Sequence, residues 1–136
     1  MPEPVTLLRV PDLADTEYAY AATVAPPARL VFTAGACPLD ADGATVAPGD
    51  PVAQARQVMA NLATALAAAG ARLTDVVKTT VYVASSEQAD LVAVWRVVRD
   101  AFGDHEPPST LLGVAVLGYD DQLVEVEAVA AVSAGA

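Results

Sequence analysis

The chain has 136 residues, which predicts a single domain over residues 1–136. Seventeen acidic residues against seven basic residues give a formal net charge of −10. This charge repels phosphate backbones, so we expect no nucleic acid partner. Cys37 is the only cysteine, which excludes an intrachain disulfide and a cysteine-based metal cluster.

The sequence also argues against a membrane segment and a bound metal. The most continuous run of small apolar residues, 58–71, is interrupted by Asn61, Thr64 and Gly70, and it is well short of the ~20 apolar residues that span a bilayer. The N-terminus has acidic residues and prolines where a secretory signal would be basic and then apolar, so we expect a cytoplasmic protein without a membrane partner. His105 is the one histidine, and we interpret it as an ordinary surface side chain. We expect no metal and no cofactor.

Three short strands are predicted in the first part of the chain. Residues 5–10 (VTLLRV) form the first, and residues 18–24 (YAYAATV), where aromatic and small residues alternate, form the second. After the proline-containing breaker APPA, residues 29–36 (RLVFTAGA) form the third. The turn-rich segment 38–49 follows this strand.

A helix is predicted between Asp50 and Gly70, and it is the strongest local pattern. Asp50 can cap the N-terminus, and Pro51 suits the first helical position. One face of this segment carries the recurring apolar residues expected of a helix packed on a core. These residues are Val52, Ala55, Val58, Met59, Leu62, Ala65, Leu66 and Ala69.

The second half of the chain predicts another strand, a second helix and two further strands. Residues 76–84 form a β-branched strand, and Ser85 with Gln88 has the spacing of a capping box at a helix start. An apolar stripe that includes Trp95 continues to Gly103, where the helix ends. The last strands are residues 110–117 and 123–132, so the predicted order is βββαβαββ.

Three of the predicted strands contain near-continuous apolar runs, LVFTAGA, VVKTTVYVA and TLLGVAV. Such runs are typical of strands buried on both faces. Two helices can cover one face, so we expect another copy of the chain to cover the other. The sequence therefore predicts a homo-oligomer, and the alternative is a monomer with an unusually apolar surface.

Three segments, in this order, resemble the RidA family, also called the YjgF or reactive-intermediate deaminase family. They are LVFTAGACPLDADG, then PVAQARQVMANLATALAAAGARLTDVVKTTVYV, then LVEVEAVA. The similarity runs from about Tyr20 to Ala130 and is most specific between Gln54 and Val83. It implies a chorismate-mutase-like α/β (α+β) fold, a six-stranded mixed sheet backed by two helices. It also implies a homotrimer with small-molecule clefts between subunits.

The resemblance further implies hydrolysis of the reactive enamines and imines that pyridoxal-phosphate dehydratases release, giving a 2-oxo acid and ammonia without a cofactor. Water adds to the C=N carbon, so the site needs a polar group that places the water. It also needs a cation that holds the substrate carboxylate.

The family's carboxylate-binding arginine, from the motif PAR(S/T), has no counterpart in this sequence. Matched backward from VEVEAVA its position falls on Thr110, and matched from Pro107 it falls on Ser109. Loss of a bidentate arginine costs roughly 10²-fold or more in carboxylate binding. The substitutes that the sequence offers are Arg29, Arg96 and Arg99.

The resemblance assigns one catalytic residue, Glu125, and a set of substrate-binding positions. That set is Tyr20, Ala34, Gly35, Trp95, Ser109, Thr110 and Leu112. Structural roles compete with these assignments: Glu125 alternates with valines as a solvent-facing strand residue would, and Trp95 lies on the apolar stripe of its helix. The hydroxyls of Ser109 and Thr110 can also satisfy backbone groups at a strand entry.

Three functions are compatible with this reading. The first is a RidA-like hydrolase in which Ser109, Thr110 and Tyr20 hydrogen-bond a neutral or less acidic substrate while Glu125 places water. The second is a trimer that binds a small metabolite without turnover, which the missing arginine favours. The third is a scaffold with vestigial clefts.

Overall fold

The computed structural model describes residues 3–134, and its elements follow the predicted order βββαβαββ. The two helices are α1 (Pro51–Ala68) and α2 (Gln88–Phe102). The six strands are β1 (Val5–Leu8), β2 (Ala21–Val24), β3 (Ala28–Phe32), β4 (Val76–Val83), β5 (Ser109–Gly113) and β6 (Val124–Ser133). A 3₁₀ turn, Leu73–Asp75, leads into β4. The mixed α+β class predicted from the sequence is therefore confirmed.

The six strands form two hydrogen-bonded sheets instead of one continuous sheet. Strands β1 and β2 are an antiparallel pair, whereas the larger sheet has the order β3-β6-β4-β5. In the larger sheet β4 and β5 are parallel and the other pairs are antiparallel, so this sheet is mixed, as expected. Between β2 and β3 lie Pro26 and Pro27, which have no N–H to donate, so the strand ladder is interrupted there.

Helix α1 begins and ends where its sequence signals predict. The Asp50 side chain accepts a hydrogen bond from the backbone N–H of Ala53 at 3.0 Å, with Pro51 at the first position. After Ala69, Gly70 adopts a φ of 81°, a left-handed conformation that favours glycine. The buried face of the helix packs against the even-numbered residues of β6. This contact forms the centre of the core.

The start of α2 differs from the predicted capping box. Glu87 is the N-cap residue, and the Ser85 hydroxyl instead accepts from the N–H of Glu87 at 3.0 Å and donates to Asp90 at 2.7 Å. Ser85 thus stabilises the turn before the helix, because a serine side chain readily bonds the backbone two residues on. The predicted end at Gly103 is confirmed, with a φ of 65°.

The predicted strands 5–10, 18–24, 29–36 and 110–117 are all shorter in the structure. Strand β5 ends at Gly113, and the Val114 N–H still donates to the carbonyl of Val83 at 2.8 Å. Residues 115–117 lie beyond the strand, with 78% of Val116 exposed. Their apolar character reflects an exposed surface segment rather than a continued strand.

The helices cover only one face of the four-stranded sheet. We call the other side the open face. It carries alternate residues of the central strands, Lys78, Thr80 and Tyr82 of β4 and Glu125, Glu127 and Val129 of β6. Burial on both faces, predicted from the apolar runs, is not found within one chain, because Phe32 is 72%, Leu30 48% and Leu112 43% exposed. Within residues 3–134, no helix is long and apolar enough to cross a bilayer.

Candidate functional site

Glu125 lies on the open face, where β6 places it opposite Tyr82. Its Oε1 accepts two hydrogen bonds, from the Cys37 thiol at 3.2 Å and from the Gln122 amide at 3.1 Å. Among the described residues, none donates a hydrogen bond to Oε2. One carboxylate oxygen is therefore fixed while the other keeps its accepting capacity.

Gly35 leaves the space that the Glu125 side chain occupies. A Cβ at this position would overlap Oε2 and Cδ of Glu125, so any larger residue would displace the carboxylate. Ala34, the predicted neighbour, is exposed. The structure thus brings Gly35 and Glu125 together, as the resemblance implies.

The thiol of Cys37 remains a hydrogen-bond donor at neutral pH. Burial, followed by the hydrogen bond and the negative charge of Glu125, raises the pKa of Cys37 to about 11. The protonated thiol therefore supports the charged carboxylate rather than acting as a nucleophile. The sequence analysis considered Cys37 only in relation to disulfides and metal clusters and did not assign it this role.

Gln122 is buried and is held in place by the backbone. Its Oε1 accepts from the N–H of Tyr119 at 3.1 Å, and its Nε2 donates to the carbonyl of Val124 at 3.1 Å as well as to Glu125. The amide is consequently oriented with its nitrogen toward Glu125. Gln122 is a second positioning residue that the sequence did not reveal.

Helix α1 anchors the loops that carry both of these donors. Fully buried Gln54 donates to the carbonyl of Asp121 at 2.9 Å and accepts from the N–H of Leu123 at 2.8 Å. Asn61 donates to the carbonyls of Cys37 and Leu39 at 2.8 and 2.9 Å. Two polar residues of the motif segment 54–83 therefore have a structural explanation, since they hold the surroundings of Glu125.

Three of the predicted residues, Trp95, Ser109 and Thr110, line a cavity of about 460 Å³ at the β5 edge. Its lining comprises Tyr18, Trp95, Ser109, Thr110 and Leu111. The rings of Tyr18 and Trp95 meet edge to face with centroids 6.3 Å apart. Trp95 is half-buried, so it both packs on the core and forms a wall of the cavity.

An ion pair beside this cavity fixes the orientation of the indole. The Trp95 Nε1–H donates to Glu17 at 3.2 Å, and Glu17 is paired with Arg99. The hydrogen bond from Arg99, followed by that from Trp95, lowers the pKa of Glu17. Arg99 is therefore engaged with Glu17 and Asp100, and Arg29 donates to the carbonyl of Ala69.

The predicted site residue Tyr20 does not line this cavity. Its hydroxyl donates to the carbonyl of Ala14 at 2.7 Å, and its side chain lines a separate cavity of about 400 Å³ with Arg9 and Glu106. Tyr18, which the sequence analysis did not assign to the site, lines the cavity beside Trp95. The two tyrosines are two residues apart in the chain, and the resemblance placed the site position on Tyr20.

Ser109 and Thr110 face opposite sides of β5, as alternation along a strand requires. The Ser109 hydroxyl lies 2.6 Å from that of Thr79 on the helix side, whereas Thr110 accepts a hydrogen bond from Lys78 Nζ at 2.7 Å. Leu112 lies on the open face, opposite Tyr82, and is not among the residues lining the cavity. The cation beside Thr110 is therefore a lysine that sequence analysis did not consider.

His105, interpreted as a surface residue, is half-buried, and its Nε2 lies 2.7 Å from the carbonyl oxygen of Val76. This contact ties the loop before β5 to the start of β4. A structural role accounts for the histidine.

Glu125 and Thr110 lie on strands that are not neighbours in the sheet. Thr110 pairs with Thr80 and Glu125 pairs with Tyr82, so β4 lies between them. Strand spacing and rise place their Cα atoms about 12 Å apart. The two groups form separate half-sites: the Glu125 half-site (Gly35, Cys37, Gln122 and Glu125) and the Thr110 half-site (Tyr18, Trp95, Ser109, Thr110 and Lys78).

The fold and these half-sites define a small α+β protein with polar groups and cavities arranged around one mixed sheet. The family model described as Endoribonuclease L-PSP matches residues 12–132. The RutC family protein PH0854 of Pyrococcus horikoshii is 36% identical over 100 residues, covering 74% of this chain and 77% of that protein. The chain therefore belongs to the YjgF/RutC/RidA family, and the resemblance found in the sequence is confirmed.

Two further comparisons identify other members of this family that are similar to the chain. The 2-iminobutanoate/2-iminopropanoate deaminase of Salmonella typhimurium is 36% identical over 104 residues, covering 74% of this chain and 78% of the enzyme. The crystal structure of YyfB from Yersinia pestis, a Rid family protein of unknown function, superimposes with a TM-score of 0.87 and 27% identity. It covers 93% of this chain and 98% of YyfB. Family membership supports an imine-deaminase-like function.

Proposed function

We propose that this protein hydrolyses small imines and their enamine tautomers to a carbonyl compound and ammonia. The observation that carries the proposal is the arrangement of Glu125. Its Oε1 is held by Cys37 and Gln122, and its Oε2 has no hydrogen-bond donor among residues 3–134. A carboxylate fixed in this way is suited to accept a proton from an attacking water.

The proposed reaction consists of two proton-balanced steps. Glu125 Oε2 takes a proton from water while the water oxygen bonds to the C=N carbon, and Glu125 then passes that proton to the imine nitrogen, which gives a neutral carbinolamine and restores the carboxylate. The carbinolamine hydroxyl then returns its proton through Glu125 to the nitrogen, the C–N bond breaks, and ammonia leaves as the carbonyl forms. The chain's own residues suffice for these proton transfers.

The proposal includes a homotrimer in which the two half-sites meet across a subunit boundary. Two observations support this assembly. The open face exposes Phe32 and Leu30, and a second copy would remove this apolar surface from water. A Glu125 half-site from one copy and a Thr110 half-site from another would also remove the separation of about 12 Å.

A second candidate function is binding of a small metabolite without turnover. No arginine is among the described residues that line the 460 Å³ cavity, so an imino acid would lack a bidentate anchor there. Ribonuclease activity, which the family model's description names, is disfavoured by the net charge of −10.

The proposed activity is tested by generating 2-iminobutanoate in situ with a dehydratase and trapping it with semicarbazide. We expect the protein to lower the yield of semicarbazone in proportion to its concentration, because hydrolysis competes with trapping. The control is the Arg56→Gln variant, which is changed at an exposed residue of α1. We expect it to lower the semicarbazone yield as much as the unaltered chain does. Equal trapping with and without protein would contradict the proposed deaminase activity.

A further inference from the structure

Lys78 is the only lysine in the sequence, and it lies on the open face with its ammonium beside Thr110. The side chain is half-buried on β4. No carboxylate oxygen of residues 3–134 lies within 4.0 Å of its Nζ, although the chain carries ten more acidic than basic residues. A cation left without a protein counter-ion in so acidic a molecule is available to an anionic ligand.

The hydrogen bond between Lys78 and Thr110 leaves donors on both partners. Thr110 Oγ1 accepts from Nζ at 2.7 Å, so the ammonium keeps two further N–H groups. The threonine O–H has no acceptor among the described residues, and the adjacent positive charge strengthens it as a donor. Nζ and Oγ1 are 2.7 Å apart, and each has a free donor hydrogen, so the two groups can donate to the same carboxylate.

Glu127 is the acidic residue that lines the cavity of about 280 Å³ next to Lys78. Its Oε1 accepts the Tyr82 hydroxyl at 2.7 Å, and this hydrogen bond raises the pKa of Tyr82. Glu127 is therefore engaged with Tyr82, and Lys78 is directed toward Thr110.

We propose that Lys78 and Thr110 together bind the carboxylate of a small oxo or imino acid. This inference rests on the proposed function and names its substrate class as short-chain monocarboxylates, anchored by a lysine–threonine pair in place of the arginine fork. The lysine is a point charge and not a planar fork, so the anchor orients its ligand less strictly than a guanidinium would.

The test is a binding measurement that needs no turnover. Protein labelled with ¹³C at the lysine ε-carbon gives a single side-chain signal, because Lys78 is the one lysine. We expect 2-hydroxybutanoate to shift this signal saturably, and its uncharged amide to leave it unshifted. Neither probe has a carbonyl carbon that can form an imine with the amine.

Calorimetric titration of variants locates the contact. We expect Lys78→Met to weaken 2-hydroxybutanoate binding about 10- to 100-fold and Lys78→Arg to weaken it far less, because a charge-assisted bond is lost only in the first. Thr110→Val should show a smaller loss than Lys78→Met. The thermal midpoint of each variant checks that it is folded.

Equal binding of the acid and its amide, or unchanged affinity in Lys78→Met, would overturn the carboxylate anchor. The outcome is separable from that of the proposed function. If the acid binds through Lys78 but no imine is hydrolysed, the carboxylate anchor is supported and the hydrolase activity is contradicted. If imines are hydrolysed at the same rate by Lys78→Met, the hydrolase activity is supported and the anchor is contradicted.

Discussion

Glu125→Gln is expected to reduce imine hydrolysis about 100-fold or more, because it removes the proton acceptor while preserving the shape of the side chain. The glutamine carbonyl can occupy the place of Oε1 and still accept from Cys37 and Gln122. Its amide nitrogen then replaces Oε2, and an amide nitrogen takes no proton from water. The loss is measured in the semicarbazide trapping assay, as the rate of imine hydrolysis at equal protein concentration.

Glu127→Gln is the matched control for this change. Glu127 lies two residues further along β6, on the same face, and its carboxylate binds Tyr82. We expect the control to retain most of the activity, and both variants to keep the thermal midpoint of the unaltered chain within a few degrees. Similar losses in the two variants, or an unchanged rate in Glu125→Gln, would contradict the role given to Glu125.

Gln54→Leu is expected to lower the free energy of unfolding by about 2–4 kcal/mol, since the N–H of Leu123 and the carbonyl of Asp121 would lose the buried amide that binds them. Gln54 satisfies the N–H of Leu123 and the carbonyls of Asp121 and Ala47 from within α1. The same change would loosen the loop that carries Gln122, so we also expect slower imine hydrolysis. Urea unfolding followed by circular dichroism measures the stability change.

Arg56→Leu controls for adding a leucine to α1, because Arg56 is exposed two residues from Gln54. Unfolding of an oligomer depends on protein concentration, so all variants are compared at the same concentration. We expect the control to change stability by less than about 0.5 kcal/mol. Equal stability of Gln54→Leu and the unaltered chain would show that the loops do not depend on this side chain.

Local signals were sufficient to predict α1 and the end of α2. These signals depend only on residues that are close together in the sequence, so they can be recognised without tertiary information. They are the Asp50 cap, Pro51 and the left-handed glycines Gly70 and Gly103. The start of α2 was misassigned because Ser85 can bond either a helix N-terminus or the turn before it, and only its position relative to Asp90 decides.

The candidate site was only partly predictable because its geometry depends on contacts between distant segments. Glu125 and Gly35 followed from the family pattern, and their close approach across 90 residues is seen in the structure. Gln122, Cys37 and Tyr18 carry no local signal of their positions. Lys78 was overlooked because VVKTTVYVA was interpreted as a strand buried on both faces, whereas its alternate residues lie on the open face.

The central claim is that each site is shared between copies of the chain, and subunit mixing tests it most directly. Glu125→Gln inactivates one half-site, and Thr110→Trp fills the cavity of the other. Co-expressed with different affinity tags and purified through both, mixed trimers would contain one intact pair of half-sites in three. We therefore predict that imine hydrolysis returns to about one third of the unaltered rate, although each variant alone is inactive. A mixed trimer as inactive as its parents would contradict the shared site.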